Sequence, residues 1–303
     1  MRFLLVLGLA CFAVSGASAQ TPRAIVGKST VELQITLLRT LLLPGEPIEV
    51  EVALRNSSGR TLVFSPNDDW LDMDIFAITK QVGDGARVTQ YKPVLVDQAF
   101  KLESAKAVKT RVEISKTFAV MRPGRYKLTA SAAYLGATTR AVAEPLIFHI
   151  TSGAKLWEQE FGMRPVEGEA QAETRKYLLQ RLTSEKDLRL YATVTDATEG
   201  TIFRQVPLGR AAGNDSPQAE LDRLNYLHVL HHTGPRLFTH TVVNHDGDLL
   251  RRETYEALGG PRPGLKKEQD GRVTVSSAER VPRADDLPAF QPAPAPTAPL
   301  ATP

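Results

Sequence analysis

Cysteine is almost missing from this chain: Cys11 is the only one in 303 residues. A disulfide framework or a thiolate metal centre needs several thiols, so stability must come from packing and hydrogen bonds. An excess of one charge is lacking too, with 37 Lys and Arg set against 34 Asp and Glu and both signs scattered along the chain. No basic face is therefore legible, and nucleic acid is excluded as the expected partner. Long apolar runs are absent beyond the first residues, so no transmembrane span is expected in the mature chain. The short motifs of catalysis are missing as well. There is no Gly-x-Ser-x-Gly elbow, no His-Glu-x-x-His and no Cys-x-x-Cys. Gly27-Lys28-Ser29-Thr30 imitates the end of a phosphate-binding loop, but Pro22 stands where that loop needs its first glycine.

What is present begins with an address. Arg2 precedes an apolar run from Phe3 to Val14, and Ala17-Ser18-Ala19 offers the small residues that signal peptidase accepts. Residues 1–19 are expected to be a signal peptide cleaved before Gln20, giving an exported protein, periplasmic or secreted. Lipidation at Cys11 is disfavoured, because Gly8 stands where a lipoprotein signal usually has leucine and the apolar run continues past the cysteine.

From Thr30 to Thr151 the hydrophobic period is two. Val31, Leu33, Ile35 and Leu37 alternate with polar residues, as do Ile48, Val50, Val52 and Leu54, and Pro44-Gly45-Glu46-Pro47 and Asn56-Ser57-Ser58-Gly59 punctuate them as turns. Short alternating strands in about 120 residues predict a two-sheet antiparallel sandwich over 30–151. Within it, Arg122-Pro123-Gly124-Arg125-Tyr126-Lys127-Leu128-Thr129-Ala130 resembles the penultimate-strand entry of bacterial extracytoplasmic immunoglobulin-like and fibronectin-type-III-like modules. Leu43-Pro44-Gly45-Glu46 and Leu54-Arg55-Asn56-Ser57 are similar to other segments of such modules. The resemblance implies an Ig-like β-sandwich with Tyr126 as the corner tyrosine bonded back to the backbone. The cysteine pair and central tryptophan of antibody domains are missing, and such a fold fixes no activity by itself.

Residues 152–187 predict a linker with one amphipathic helix over Glu169 to Leu182, with Tyr177, Leu178, Leu179 and Leu182 as its apolar stripe. Residues 188–281 predict a second antiparallel β-meander domain, turning at Gly234-Pro235, at Asp246-Gly247 and at Asp270-Gly271. This half resembles uncharacterised secreted bacterial proteins, which adds no function. The proline- and alanine-rich stretch 282–303 predicts a disordered tail.

Two constellations carry chemistry. Five of the six histidines, His228, His231, His232, His240 and His245, fall close together. A hairpin turning at Gly234-Pro235 would place His231 and His240 on one face, and the Asp246-Gly247 hairpin would set His240 opposite Glu253. His231, His240 and Glu253 would then form a zinc site of the two-His, one-carboxylate kind, the basis of a metal-dependent hydrolase. Against it, Val229, Phe238 and Val242 would share that face and make it core, and a one-residue slip would flip it. Asp68, Asp69, Asp72 and Asp74 around Trp70 offer oxygen ligands for calcium, yet Asp72 and Asp74 alternate with Leu71, Met73 and Ile75 as on a wet strand face. The expectation is thus a mainly β protein without catalytic residues or cofactor, binding or scaffolding in the bacterial cell envelope with a protein or glycan partner. A metal-dependent hydrolase and an Ig-like protease inhibitor are the alternatives.

Overall fold

The computed structural model describes residues 30–65, 70–79, 82–94, 99–163, 173–184, 187–213 and 215–287, with the side chains of 82–84 excepted. The expected signal peptide 1–19, Cys11, Asp68 and Asp69 lie outside these residues. The described chain is mainly β and antiparallel. Among the described residues no helix is long and apolar enough to cross a membrane.

The first unit contains β1 (Val31–Leu37), β2 (Leu41–Leu42), β3 (Glu49–Asn56), β4 (Leu62–Phe64), β5 (Leu71–Thr79) and β6 (Val82–Arg87). It continues with β7 (Phe100–Leu102), β8 (Ala107–Glu113), β9 (Gly124–Ala132), β10 (Ala141–Val142) and β11 (Leu146–Ile150). One sheet runs β1-β3-β8, a second β2-β11-β9-β5-β6 with β10 beside β9, and β4 pairs with β7 in a small two-stranded sheet. The two-residue alternation of the sequence is what holds them together. Val31, Leu33, Ile35 and Leu37 are buried while Glu32, Gln34 and Thr36 are exposed, and both sheets feed one apolar core that includes Val52, Ile75, Leu128 and Phe148. The Tyr126 hydroxyl donates to the Arg122 carbonyl at 2.7 Å, the bond expected of a corner tyrosine.

The second unit contains β12 (Ala154–Gly162), β13 (Thr174–Thr183), β14 (Leu188–Asp196), β15 (Ile202–Arg210) and β16 (Gln218–Leu221). It goes on with β17 (Leu227–Gly234), β18 (Leu237–Val243), β19 (Leu249–Ala257), β20 (Gly264–Lys267), β21 (Val273–Ser276) and β22 (Ala278–Arg280). The order is β12-β13-β14-β15 in one sheet and β16-β17-β18-β19-β22 in the other. Tyr177, Leu190 and Val194 from the first sheet meet Leu227, Val229 and Val243 from the second in a shared core.

The helix expected over 169–182 is not formed. Residues 169–172 lie outside the described part, and from Thr174 the chain is strand β13, paired on one side with β12 and on the other with β14. The four residues read as one helical stripe divide between two strand faces. Tyr177 and Leu179 enter the inter-sheet core, whereas Leu182 points the other way and packs with Leu43 and Tyr191. Burial on both faces needs a continuous apolar run, and a run of that kind mimics a helical stripe when it is short. The linker over 152–187 is therefore two strands of the second unit. That unit also extends past 281. Leu287 exchanges two backbone hydrogen bonds of 2.8 Å with Arg252, and the buried Asp286 accepts from Thr254 Oγ1 at 3.3 Å. The expected tail thus contributes its first residues to the sheet, and 288–303 lie outside the described part.

The two units meet at a buried polar contact. Glu46, only 2% exposed, is ion-paired with Arg39 and accepts from the Tyr191 hydroxyl at 2.8 Å and from the Leu43 amide at 3.0 Å. A carboxylate so enclosed needs its lone pairs satisfied, and the partly exposed Arg39 together with Tyr191 and Leu43 satisfies them.

Candidate functional site

The histidine hairpin of β17 and β18 is the ground of the alternative metal-hydrolase reading, and its register decides whether that site forms. The two-residue loop is Pro235-Arg236, with Gly234 paired to Leu237, rather than Gly234-Pro235. Shifting a loop by one position moves the pairing by two and preserves the faces. An irregularity between His232 and Gly234 then absorbs one further residue, so that His231 pairs with Thr239 and Leu230 with His240. The side chains consequently alternate the other way, and His231 and His240 lie on opposite faces of the sheet.

The β18–β19 hairpin gives the expected pairing by a different route, because its loop pairs Val243 with Leu249 and an irregularity between Val242 and Val243 offsets the change. His240 lies opposite Glu253, and Gly247 occupies the loop at φ +79°, where an added Cβ would run into the Arg204 side chain. His240 and Glu253 are brought together, and His231 is not with them. The zinc site of His231, His240 and Glu253 does not fit this geometry. Among the described residues no group of three or more His, Cys, Asp or Glu side chains is arranged to hold a metal. The calcium reading fares similarly in the described part: Asp72 and Asp74 sit in β5 opposite the core face, and Asp74 accepts from Arg87 Nε at 2.7 Å.

Sequence reasoning missed the partner that takes the place of His231. His228 sits diagonally from His240 on the same face, its Nδ1 3.0 Å from His240 Nε2 with the rings stacked at 5.2 Å. His228 Nε2 faces Asp222 Oδ2 at 3.3 Å, while His240 Nδ1 stands 3.9 Å from Glu253 Oε2, beyond hydrogen-bond length. Glu253 also accepts from the Tyr255 hydroxyl at 2.9 Å, and its other oxygen lies 3.4 Å from Arg280 Nη1. Two imidazoles are thus strung between two carboxylates. Only one of the two nitrogens in the 3.0 Å contact can carry a hydrogen toward the other, so the tautomers of the two rings are tied together.

The electrostatics follow from enclosure. Burial, and then the neighbouring His240, lower His228 to about 4, so it is neutral at pH 7. His240 beside it, with the Tyr255 hydroxyl and the Arg251 and Arg280 guanidiniums, holds Glu253 down to about 2 against the opposing effect of burial. Burial and the Glu253 carboxylate raise Tyr255 to about 12. On the other face His231 is lowered to about 4 by burial and by Arg252. Neither of its ring nitrogens reaches hydrogen-bond geometry, and the Arg210 backbone is the polar group that acts on it.

This chain of groups is closed. His240 is 2% and His228 6% exposed, and β20 lies against β16 and β17, where Gln218 accepts from the Leu265 amide at 2.8 Å and Lys267 Nζ donates to the Leu221 carbonyl at 2.7 Å. The two rings are largely shut off from solvent, while Asp222 and Arg280 at the ends of the network keep part of their surface exposed. The cleft of about 680 Å³ where the two units meet is lined by Leu38, Arg39, His149, Asp187, Arg189 and Tyr191 among others, none of them from the hairpin.

No family model matches the chain, and no curated protein matches it. Among solved structures, the alkylpurine DNA glycosylase AlkC of Pseudomonas fluorescens, bound to DNA containing an abasic-site analogue, aligns over 40% of this chain and 30% of its own, with 16% identity and a TM-score of 0.28. The sporulation control protein Spo0M of Bacillus subtilis aligns over 58% of this chain and 83% of its own, with 11% identity and a TM-score of 0.30. Both superpositions are too loose to assign a fold or carry a function to this chain.

Proposed function

We propose that this is a non-catalytic, exported binding or scaffolding protein of the bacterial cell envelope, with an Ig-like first unit. The observation that carries the non-catalytic part is the β17–β18 register. It separates His231 from His240 and fills the place of the rival metal site with a packed chain of side chains that has no open coordination position, whereas a catalytic zinc keeps one free for water. The Tyr126 bond to the Arg122 carbonyl supports the Ig-like assignment. Export rests on the N-terminal sequence alone.

The test uses the full chain from Met1, expressed in its native host. Cross-linking in intact cells, followed by fractionation, should recover it outside the cytoplasm joined to an envelope protein or glycan. The purified chain should hold no stoichiometric metal, and a chelator should leave its melting unchanged. One zinc per chain, lost in His240→Ala together with a hydrolytic activity, would overturn the reading, as would a chain retained in the cytoplasm.

A further inference from the structure

A second cleft, of about 560 Å³, opens on the first unit beside the start of β5, and Leu71, Asp72, Gln90, Tyr91, Lys92 and Arg140 line it. Tyr91 is 71% exposed, an unusual position for a large ring. Its backbone is nonetheless fixed. The Tyr91 amide donates to the Thr117 carbonyl at 2.8 Å, Gln90 bridges to Phe118, and the Val88 amide donates to the Ile75 carbonyl at 2.7 Å. Arg140 is likewise held in place, donating through Nε to Ser131 Oγ at 2.8 Å and through Nη2 to the Ser131 carbonyl at 3.2 Å.

The groups around this fixed frame are uncommitted. Strand alternation turns Asp72 away from the core, and it makes no ion pair or side-chain hydrogen bond; nor do the side chains of Gln90, Tyr91 and Lys92. An exposed ring, a planar amide, a carboxylate and an ammonium therefore converge on one concavity with their bonding capacity unspent. A sugar ring presents the complementary set: a C–H face for the aromatic ring, and adjacent hydroxyls that donate to the carboxylate and bond the amide. The Lys92 ammonium, which makes no ion pair among the described residues, favours a sugar that carries a carboxylate.

We propose that this cleft is a saccharide-binding site, selective for an acidic glycan chain of the uronic-acid type. The proposal deepens the binding function above by naming a ligand class, and it rests on that reading.

The experiment is titration calorimetry of the chain from Gln20 with a galacturonate tetramer, its methyl ester and a neutral glucose tetramer, at low and moderate salt. The acidic tetramer should bind, with the neutral one weaker. Tyr91→Ala should weaken binding about tenfold or more, the scale of losing a stacking contact. Lys92→Ala should erase the preference for the acid over its ester. Each of these side chains is exposed or unbonded, so melting should be unchanged in both variants and a binding loss cannot be ascribed to unfolding. No binding of the acidic tetramer, equal binding of acid and ester by the wild type, or undiminished binding by Tyr91→Ala would overturn the site. An envelope partner still cross-linked by Tyr91→Ala, with no binding of the acidic tetramer by the wild type, would remove this site while leaving the binding function standing. Stoichiometric zinc with hydrolysis would instead remove the function itself.

Discussion

Acid should destabilise this protein well before its carboxylates titrate, through two buried imidazoles. His228 and His231 are both held down to about 4 in the folded chain, against 6.5 when free. Between those values the unfolded chain binds protons that the folded chain refuses, so stability falls as pH drops through the window from about 6.5 to about 4 and levels off below it. At about 1.4 kcal/mol for each tenfold change in proton activity, moving from pH 7 to pH 5 should cost roughly 2 kcal/mol per imidazole, or about 4 kcal/mol together. Glu253 has the same sign in a different window. Its folded value of about 2 lies below the ordinary 4.5, so the stability it contributes is present above 4.5 and is lost only as pH falls from there. Measurements at pH 5 and above therefore isolate the histidines. Urea unfolding at constant ionic strength, at intervals from pH 7 to pH 5, supplies the slope. His231→Leu should halve the loss to roughly 2 kcal/mol and leave stability at pH 7 equal or higher, because it removes an imidazole whose nitrogens have no hydrogen bond. A flat wild-type profile, or an unchanged slope in His231→Leu, would refute the reasoning.

Three further perturbations probe the packing. Leu128 is fully buried between the two sheets of the first unit, so Leu128→Ala should cost roughly 2–5 kcal/mol in chemical denaturation, while Asp72→Ala on the opposite face should cost almost nothing. Equal costs would mean the faces are misassigned. Tyr126→Phe deletes only the hydroxyl that donates to the Arg122 carbonyl and should lower stability by about 1 kcal/mol, and a cost of zero would make the corner bond ornamental. Glu46→Ala strips the acceptor from the Tyr191 hydroxyl and the counter-ion from Arg39, so calorimetry should show a loss of about 3 kcal/mol as the junction weakens. Thermal unfolding identical to wild type would show that the two units do not depend on this contact.

Most strands were legible because their burial is one-sided. Val31 to Leu37 is half polar, half apolar and strictly alternating, and only a strand buries such a pattern on one face; β1 and β3 fall where that alternation places them. Strand β13 was not legible for the opposite reason. It is apolar on both faces over Tyr177, Leu178 and Leu179, because one face meets the second sheet and the other, at Leu182, meets Leu43 of the first unit. Those partners are distant in sequence, and nothing local distinguishes a doubly buried strand from a short helical stripe.

The candidate site divides in the same way. The sequence clusters the histidines on neighbouring strands, and Glu253 does lie opposite His240, although an irregularity beside Val243 rather than the expected two-residue Asp-Gly loop sets that pairing. Which histidine would join them depended on a single irregularity beside Thr233, and one residue there reverses every side chain in the strand. That irregularity put His228, with its carboxylate Asp222, into the network and sent His231 into the inter-sheet core. The sequence by itself determined the local matters: the strand period and the sparse cysteine. Only the tertiary structure decided which strand faces are covered twice, which imidazoles meet, and where Tyr91, Asp72 and Arg140 converge, because each of these depends on register and on contacts between segments that no local pattern encodes.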